Sequence, residues 1–130
     1  MLMPARYKNI WLIDDDDDDQ EIFGTALLKT NLDVACTPYS SAFQALEELR
    51  NGTSYPELIF LDLNMPLMNG QQFLEAIKDC PKLKGIPIIV LTTSSTQQTI
   101  EETIALGATD FYSKPDRFED LTSILRKILA

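Results

Sequence analysis

The chain has 130 residues, 45% of them hydrophobic, and carries 20 acidic against 11 basic side chains, for a net charge of -9. This length predicts one domain with a real core, spanning residues 1–130. The negative charge disfavours binding to nucleic acid or an anionic membrane. No apolar run is long enough for a bilayer span, and the first residues lack a signal-peptide core, so we expect a cytoplasmic protein.

Two residue counts narrow the chemistry further. The sequence contains no histidine, which excludes histidine-ligated zinc and Ser-His or Cys-His catalysis. Its two cysteines, Cys36 and Cys80, are expected to be free thiols in a reducing compartment. Any chemistry must therefore use carboxylate, hydroxyl and amine groups.

Strand and helix patterns alternate along the chain. Strands are predicted over residues 7–13, 34–37, 58–62, 87–92 and 110–113. Helices are predicted over about 17–30, 41–50, 69–81, 96–106 and 117–129. Asp17 with Gln20 and Ser41 with Gln44 have capping-box spacing, and Ser95 or Thr96 is expected to cap the fourth helix.

Three of the predicted strands are continuous apolar runs rather than alternating ones. Continuous runs indicate burial on both faces, which is typical of a parallel sheet covered by helices on each side. The sequence therefore predicts a three-layer α/β fold with five βα units.

Two of these strands end abruptly in aspartate. Asp14 and Asp15 follow the first strand, and Asp62 ends the third. Ligands of open parallel sheets bind outside the carboxyl ends of the strands, so these carboxylates should meet in one crevice. Because clustered carboxylates repel each other unless a cation lies among them, and hard oxygen ligands suit Mg²⁺, the pattern predicts a magnesium site.

Other polar residues fall at the same predicted edge. Thr92 ends the fourth strand and can direct its hydroxyl into the crevice, and Lys114 can supply a fixed cation to Asp62 or to a phosphoryl oxygen. The remaining aspartates are expected to face solvent: Asp16 outside the helix, and Asp17–Asp19 as a solvated acidic first turn.

These motifs together resemble the receiver domain of bacterial two-component response regulators, of the single-domain chemotaxis type. The resemblance rests on Asp14-Asp15, Asp62 with the segment from Asn64 to Gly70, Thr92, and Lys114-Pro115, and it covers essentially the whole chain. It implies a flavodoxin-like (βα)5 fold with strand order 2-1-3-4-5. Since the last predicted helix ends the sequence, no attached output domain is expected.

The resemblance also implies a role for each residue. Asp62 would accept a phosphoryl group from the phosphohistidine of a sensor histidine kinase. Asp15 would bind Mg²⁺ directly, Asp14 would hold it through water, and the Asn64 backbone carbonyl would be a third ligand. Thr92 and Lys114 would bind phosphoryl oxygens.

Further expectations concern the peptide before Pro115 and the output surface. The family has a cis bond at Lys114-Pro115, and Phe111 lies where its aromatic switch residue falls. A downstream protein would bind a face formed by the fourth helix, fifth strand and fifth helix. Whether the chain forms a weak homodimer stays open.

The leading interpretation is a phosphorylation-gated switch, not an enzyme acting on a separate substrate. One alternative is a phosphorelay intermediate that passes the group to a histidine phosphotransfer protein, which the sequence does not separate from a terminal switch. A dehalogenase-like phosphatase is disfavoured because Asn64 stands where that class needs a second aspartate. A calcium-binding loop is disfavoured because the aspartate run lacks alternating ligands, a central glycine and a terminal glutamate.

Overall fold

The computed structural model describes residues 1–130 as five parallel strands and five helices that alternate along the chain. The strands are β1 (Asn9–Ile13), β2 (Ala35–Tyr39), β3 (Leu58–Leu61), β4 (Ile88–Thr92) and β5 (Asp110–Ser113). The helices are α1 (Asp17–Lys29), α2 (Ala42–Asn51), α3 (Gly70–Lys78), α4 (Gln97–Ala105) and α5 (Phe118–Leu129). The strands pair in the order β2-β1-β3-β4-β5, which confirms the predicted flavodoxin-like fold.

Two apolar layers cover the faces of the sheet, because successive side chains along a strand point to opposite faces. Beneath α2 and α3 lie the strand residues Trp11, Ile13, Ile59, Leu61 and Val90. Beneath α1 and α5 lie Ile10, Leu12, Leu58, Phe60, Ile89 and Leu91. Full burial of one such side chain contributes about 1.5–3 kcal/mol, so the two layers fix the strands that carry the crevice.

Three helices begin at polar caps, and the sequence predicted two of them, at Ser41 and Thr96. Ser41 accepts a hydrogen bond from the third backbone N–H of α2, and Thr96 does the same for α4. Asn69 and Gln72 form a complete capping box at the start of α3, each side chain bonding the other's backbone N–H. These caps satisfy backbone donors that a helix start leaves unpaired.

The predicted capping box of α1 is wrong. The residue that caps this helix is Asp16, whose extended backbone lets its carboxylate accept from the Asp19 N–H at 3.0 Å. Gln20 instead donates its side-chain amide to the Asp14 carbonyl oxygen at 2.6 Å and to Ser40 Oγ at 3.1 Å. The capping residue is therefore Asp16, one position before the predicted Asp17, and α1 itself begins at Asp17.

Two local features differ from the sequence expectation. β2 extends to Tyr39 and includes Pro38, which an edge strand tolerates because a missing donor on its open side breaks no ladder. No peptide bond is cis, so the expected cis bond at Lys114-Pro115 is wrong. Trans is the intrinsically favoured isomer of an X–Pro bond, and Lys114 reaches the crevice with it.

The segment before β1 meets the end of α5 at the amino edge of the sheet. The Arg6 N–H donates to the Leu129 carbonyl oxygen at 2.7 Å, and Met3 bridges to Leu32 beside β2. None of the five helices has the length and apolar character needed to cross a bilayer.

Candidate functional site at the carboxyl edge of the sheet

Four neighbouring strands deliver polar side chains to one crevice. Asp14 directly follows β1, Asp62 follows β3, Thr92 ends β4, and Lys114 follows β5. Because all four strands are parallel, their carboxyl ends lie at the same edge of the sheet. The structure thus brings together residues that are up to 100 positions apart in the chain.

Three carboxylates form the acidic part of the crevice. Asp14 and Asp62 are 2% and 5% exposed, whereas Asp15 is open to solvent. One oxygen from each lies within 4.8 Å of the others. Two ligands of one Mg²⁺ lie at most about 4.2 Å apart, so small side-chain rotations would place all three on a single ion. The donor set and its spacing therefore fit a divalent cation.

Lys114 is the cation of the crevice. Its Nζ lies 2.8 Å from Asp14 Oδ2, 2.7 Å from Asp19 Oδ2 and 3.6 Å from Asp62 Oδ2. Burial alone would lower the pKa of Lys114, but the hydrogen bonds that it donates to Asp14 and Asp19 outweigh burial and raise that pKa above its ordinary value. The lysine therefore stays charged across the physiological range.

Asp14 is buried and accepts hydrogen bonds from two donors. The Asp16 N–H donates to its Oδ1 at 3.0 Å, and Lys114 Nζ donates to its Oδ2. Burial raises the pKa of the Asp14 carboxyl above its usual range, although both donors act to lower it. A carboxylate under this desolvation is stabilised further by a cation beside it.

Thr92 contacts the central carboxylate directly. Its side chain is fully buried, and Oγ1 donates to Asp62 Oδ1 at 2.7 Å. The Asn64 N–H also approaches that oxygen, at 3.4 Å. One oxygen of Asp62 is therefore held by protein donors, while the other faces Lys114.

The side chain of Asn64 has partners that sequence reasoning missed. Its Nδ2 donates to Ser94 Oγ at 2.9 Å, and Ser94 Oγ lies 3.2 Å from Asn64 Oδ1. Thr93 Oγ1 is within 3.4 Å of the same Nδ2. This pairing joins the loop after β3 to the loop after β4. Only the position of both residues just beyond strand ends could have indicated it.

The aspartate run divides into three kinds of residue. Asp17 and Asp18 are exposed, as predicted, and Asp16 is exposed but caps α1. The prediction that Asp19 is merely solvated is wrong, because it forms a 2.7 Å ion pair with Lys114. Asp19 lies four positions before the buried Phe23, so the helical period turns it inward towards the crevice.

Gly70 supports the crevice from the first turn of α3. A Cβ at this position would lie 2.7 Å from Leu63 Cα and 2.8 Å from the Asp62 carbonyl oxygen. Only a residue without a side chain allows α3 to begin so close to the end of β3. The glycine therefore fixes where the chain turns after Asp62.

The fold and the position of this crevice define a receiver-type α/β domain. Residues 10–126 match the response regulator receiver domain family, and the chain belongs to that family. Receiver domains are regulatory domains of two-component and phosphorelay systems, in which they accept a phosphoryl group and interact with histidine kinases or phosphotransfer proteins.

Single-domain response regulators are among the similar proteins. The response regulator Rcp1 of Synechocystis is 29% identical over 93% of this chain and 86% of its own. The crystal structure of the phosphorylated cyanobacterial phytochrome response regulator RcpA has a TM-score of 0.85 and 30% identity, covering 94% of this chain and 91% of that one. The Mn²⁺-bound structure of Rcp1 has a TM-score of 0.83 and 28% identity over 93% and 91%.

Other curated relatives are longer than this chain. It spans 14% of the sensor histidine kinase CheAY of Helicobacter pylori and 57% of the probable methanogenesis regulatory protein FilR2 of Methanothrix harundinacea. The respective identities are 29% and 34%. The similarity therefore concerns the receiver domain and not the remaining parts of those proteins.

Proposed function

We propose that this chain is a phosphorylation-dependent signalling switch in which Asp62 accepts a phosphoryl group from the phosphohistidine of a sensor histidine kinase. The observation that carries the proposal is the environment of Asp62: a buried carboxylate with a hydroxyl at 2.7 Å on one oxygen and an ammonium at 3.6 Å from the other. A nucleophile toward phosphorus needs partners that neutralise the attacked group, and this environment supplies them.

In the proposed reaction an oxygen of Asp62 attacks phosphorus. The new O–P bond forms as the P–N bond to the donor histidine breaks, and the electron pair of that bond stays on the imidazole nitrogen, which takes up a proton from solvent. Thr92 exchanges its bond to Asp62 for one to a phosphoryl oxygen, and Lys114 pairs with another. The acceptor side chain gains about one negative charge at neutral pH.

We propose Asp14, Asp15, Asp62 and the backbone carbonyl of Asn64 as the residues that hold Mg²⁺. The bound ion would neutralise charge on the transferred group. The spacing of the three carboxylates supports this assignment. Asp15 is the exposed member, so it can take up an ion from solvent without opening the fold.

We further propose that the signal leaves through the face formed by α4, β5 and α5. Ile104 is 43% exposed there, and Ile100, Phe111 and Phe118 are half-buried. Phe111 connects this face to Thr92, because β5 pairs with β4, the strand that Thr92 ends. A downstream protein would bind this face after phosphorylation.

Labelling with a small phosphodonor tests the proposal. Mg²⁺ with acetyl phosphate should add one phosphoryl mass to the intact protein, and Asp62→Asn should gain none. Asp33→Asn removes an exposed carboxylate outside the crevice and should be labelled like the parent protein. Labelling that persists in Asp62→Asn would reject Asp62 as the acceptor.

The relay alternative uses the same acceptor and differs only in where the group goes next. A labelled protein that returns its phosphoryl group to a histidine phosphotransfer protein within the lifetime of the acyl phosphate would be a relay intermediate. A labelled protein that loses the group only to water would be a terminal switch. Timed phosphotransfer reactions with candidate partners measure this difference.

A further inference from the structure

Lys114 is shared unequally among three carboxylates. Its Nζ lies 2.7 Å from Asp19 and 2.8 Å from Asp14, but 3.6 Å from Asp62. The two short contacts have hydrogen-bond geometry, whereas the contact with Asp62 is an ion pair without one. The lysine is thus drawn away from the residue that it would serve after phosphorylation.

The Asp19–Lys114 pair is anchored at both ends. The Asp19 N–H is bonded by the capping carboxylate of Asp16, which fixes the first turn of α1. The Lys114 N–H donates to the Thr92 carbonyl oxygen at 2.8 Å, which fixes the end of β5. The side chains are 37% and 17% exposed, so the pair is only partly screened by water.

We infer that Asp19 is a positioning residue that holds Lys114 toward Asp14 and opposes its movement to a phosphoryl group on Asp62. This inference rests on the proposed function of Asp62. Lys114 must lose or lengthen its bond to Asp19 to meet the new oxygens. Asp19 also adds one negative charge next to a group that itself becomes more negative. Both effects disfavour the phosphorylated state.

Interaction with the dipole of α1 does not explain why Asp19 contacts Lys114. Asp17 and Asp18 occupy the same first turn and carry the same charge, yet neither contacts Lys114. Asp18 is exposed and adjacent in sequence. Asp18→Asn therefore removes an equal charge and an equal dipole contribution without touching the ion pair, and it is the matched control for Asp19→Asn.

Beryllofluoride binding tests the inference at saturating Mg²⁺, because this phosphoryl analogue measures affinity rather than reaction rate. We expect Asp19→Asn to bind it about two- to fivefold more tightly than the parent protein, the range that the loss of one partly exposed ion pair supports. Asp18→Asn should differ from the parent by less than twofold. Carbon-13 resonances of the Lys114 Cε should shift in Asp19→Asn and stay in place in Asp18→Asn.

Three outcomes would overturn the inference. Equal affinities in the two variants would reduce Asp19 to a surface charge, and weaker binding by Asp19→Asn would mean that Asp19 presents Lys114 productively. An unchanged Cε resonance would show that the ion pair is absent in solution. Parent protein that binds no beryllofluoride would reject the proposed function as well, which distinguishes the two failures.

Discussion

Thr92 Oγ1 donates a 2.7 Å hydrogen bond to Asp62 Oδ1, so the ends of β4 and β3 are joined by side chains as well as by the sheet. Thr92 is fully buried, and the backbone carbonyl oxygen of the same residue accepts from Lys114. We therefore expect a group added to Asp62 to affect Thr92, and with it the end of β4, before more distant residues.

Replacing Thr92 separates its contribution to stability from phosphoryl acceptance. Thr92→Ala should still gain one phosphoryl mass, because Asp62 and Lys114 remain. Its free energy of unfolding should fall by about 1 kcal/mol, because the hydrogen bond to Asp62 is lost. Thr92→Ser keeps the hydroxyl and serves as the control. Urea denaturation and intact mass measure the two effects. A variant that takes no label would place Thr92 in the acceptance step itself.

Metal binding should depend on Asp15 and not on the exposed start of α1. Trp11 is buried on β1, the strand that leads directly to Asp14 and Asp15, so its fluorescence should report Mg²⁺ entering the crevice. We expect Asp15→Ala to abolish Mg²⁺-dependent quenching, and Asp18→Ala to leave the affinity within a few-fold. Equal losses in both variants would assign the metal to the acidic run.

Removing the metal should lower stability. Mg²⁺ at 100 times its dissociation constant should add about 2.7 kcal/mol to the unfolding free energy, provided the unfolded chain binds none. EDTA should reverse the gain, and thermal unfolding of Asp15→Ala should not respond to either. A response that survives in Asp15→Ala would contradict the proposed ligand set.

Replacement by alanine should have opposite effects on the free energy of unfolding at Gly70 and at Gly24. Gly70→Ala places a Cβ 2.7 Å from Leu63 Cα and should lower the free energy of unfolding by about 1–3 kcal/mol. The same clash should disturb the position of Asp62. Gly24 lies inside α1, and apart from its chain neighbours and the nearby backbone of its own helix no heavy atom lies within 4 Å of the point that a Cβ would occupy. Gly24→Ala should therefore raise the free energy of unfolding by about 0.5–1 kcal/mol. Urea denaturation checks both signs, and destabilisation by Gly24→Ala would show that α1 does not tolerate the methyl group.

Transmission to the output face should involve Phe111. This residue pairs with Val90 across β4 and β5 and is half-buried against the core. Full burial of a Phe side chain contributes roughly 1.5–3 kcal/mol, so moving Phe111 further inward can contribute only part of that free energy. Beryllofluoride should change chemical shifts from Asp62 through Thr92 into residues 100–118. Phe111→Ala should keep the phosphoryl gain and lose the shifts beyond Thr92. Shifts that run to α1 instead would reject this route.

The strands and the acidic crevice could be predicted because each depends on a short pattern. Apolar runs that end in Asp14 and Asp62 place both carboxylates at one edge of any parallel sheet, whatever the remaining contacts are. The caps at Ser41 and Thr96 are likewise local, and the structure confirms them.

The contacts that the sequence did not predict depend on how separate elements of the fold lie relative to one another. In six identical aspartates nothing distinguishes Asp19 except its helical phase relative to Phe23, and its partner lies 95 positions away. The Asn64–Ser94 pair depends on how two loops meet. Patterns along the chain carry little information of this kind.

The hydrogen bond between Arg6 and Leu129 holds the first and last segments of the chain together at the edge opposite the crevice. A short linker there could join the two ends, and new ends could be opened in the exposed loop at residues 53–55. Such a circular permutant would keep β1, β3, β4 and β5 in register. Its new ends would lie between α2 and β3, at the edge opposite the crevice, so an attached fluorophore would leave the residues around Asp62 uncovered.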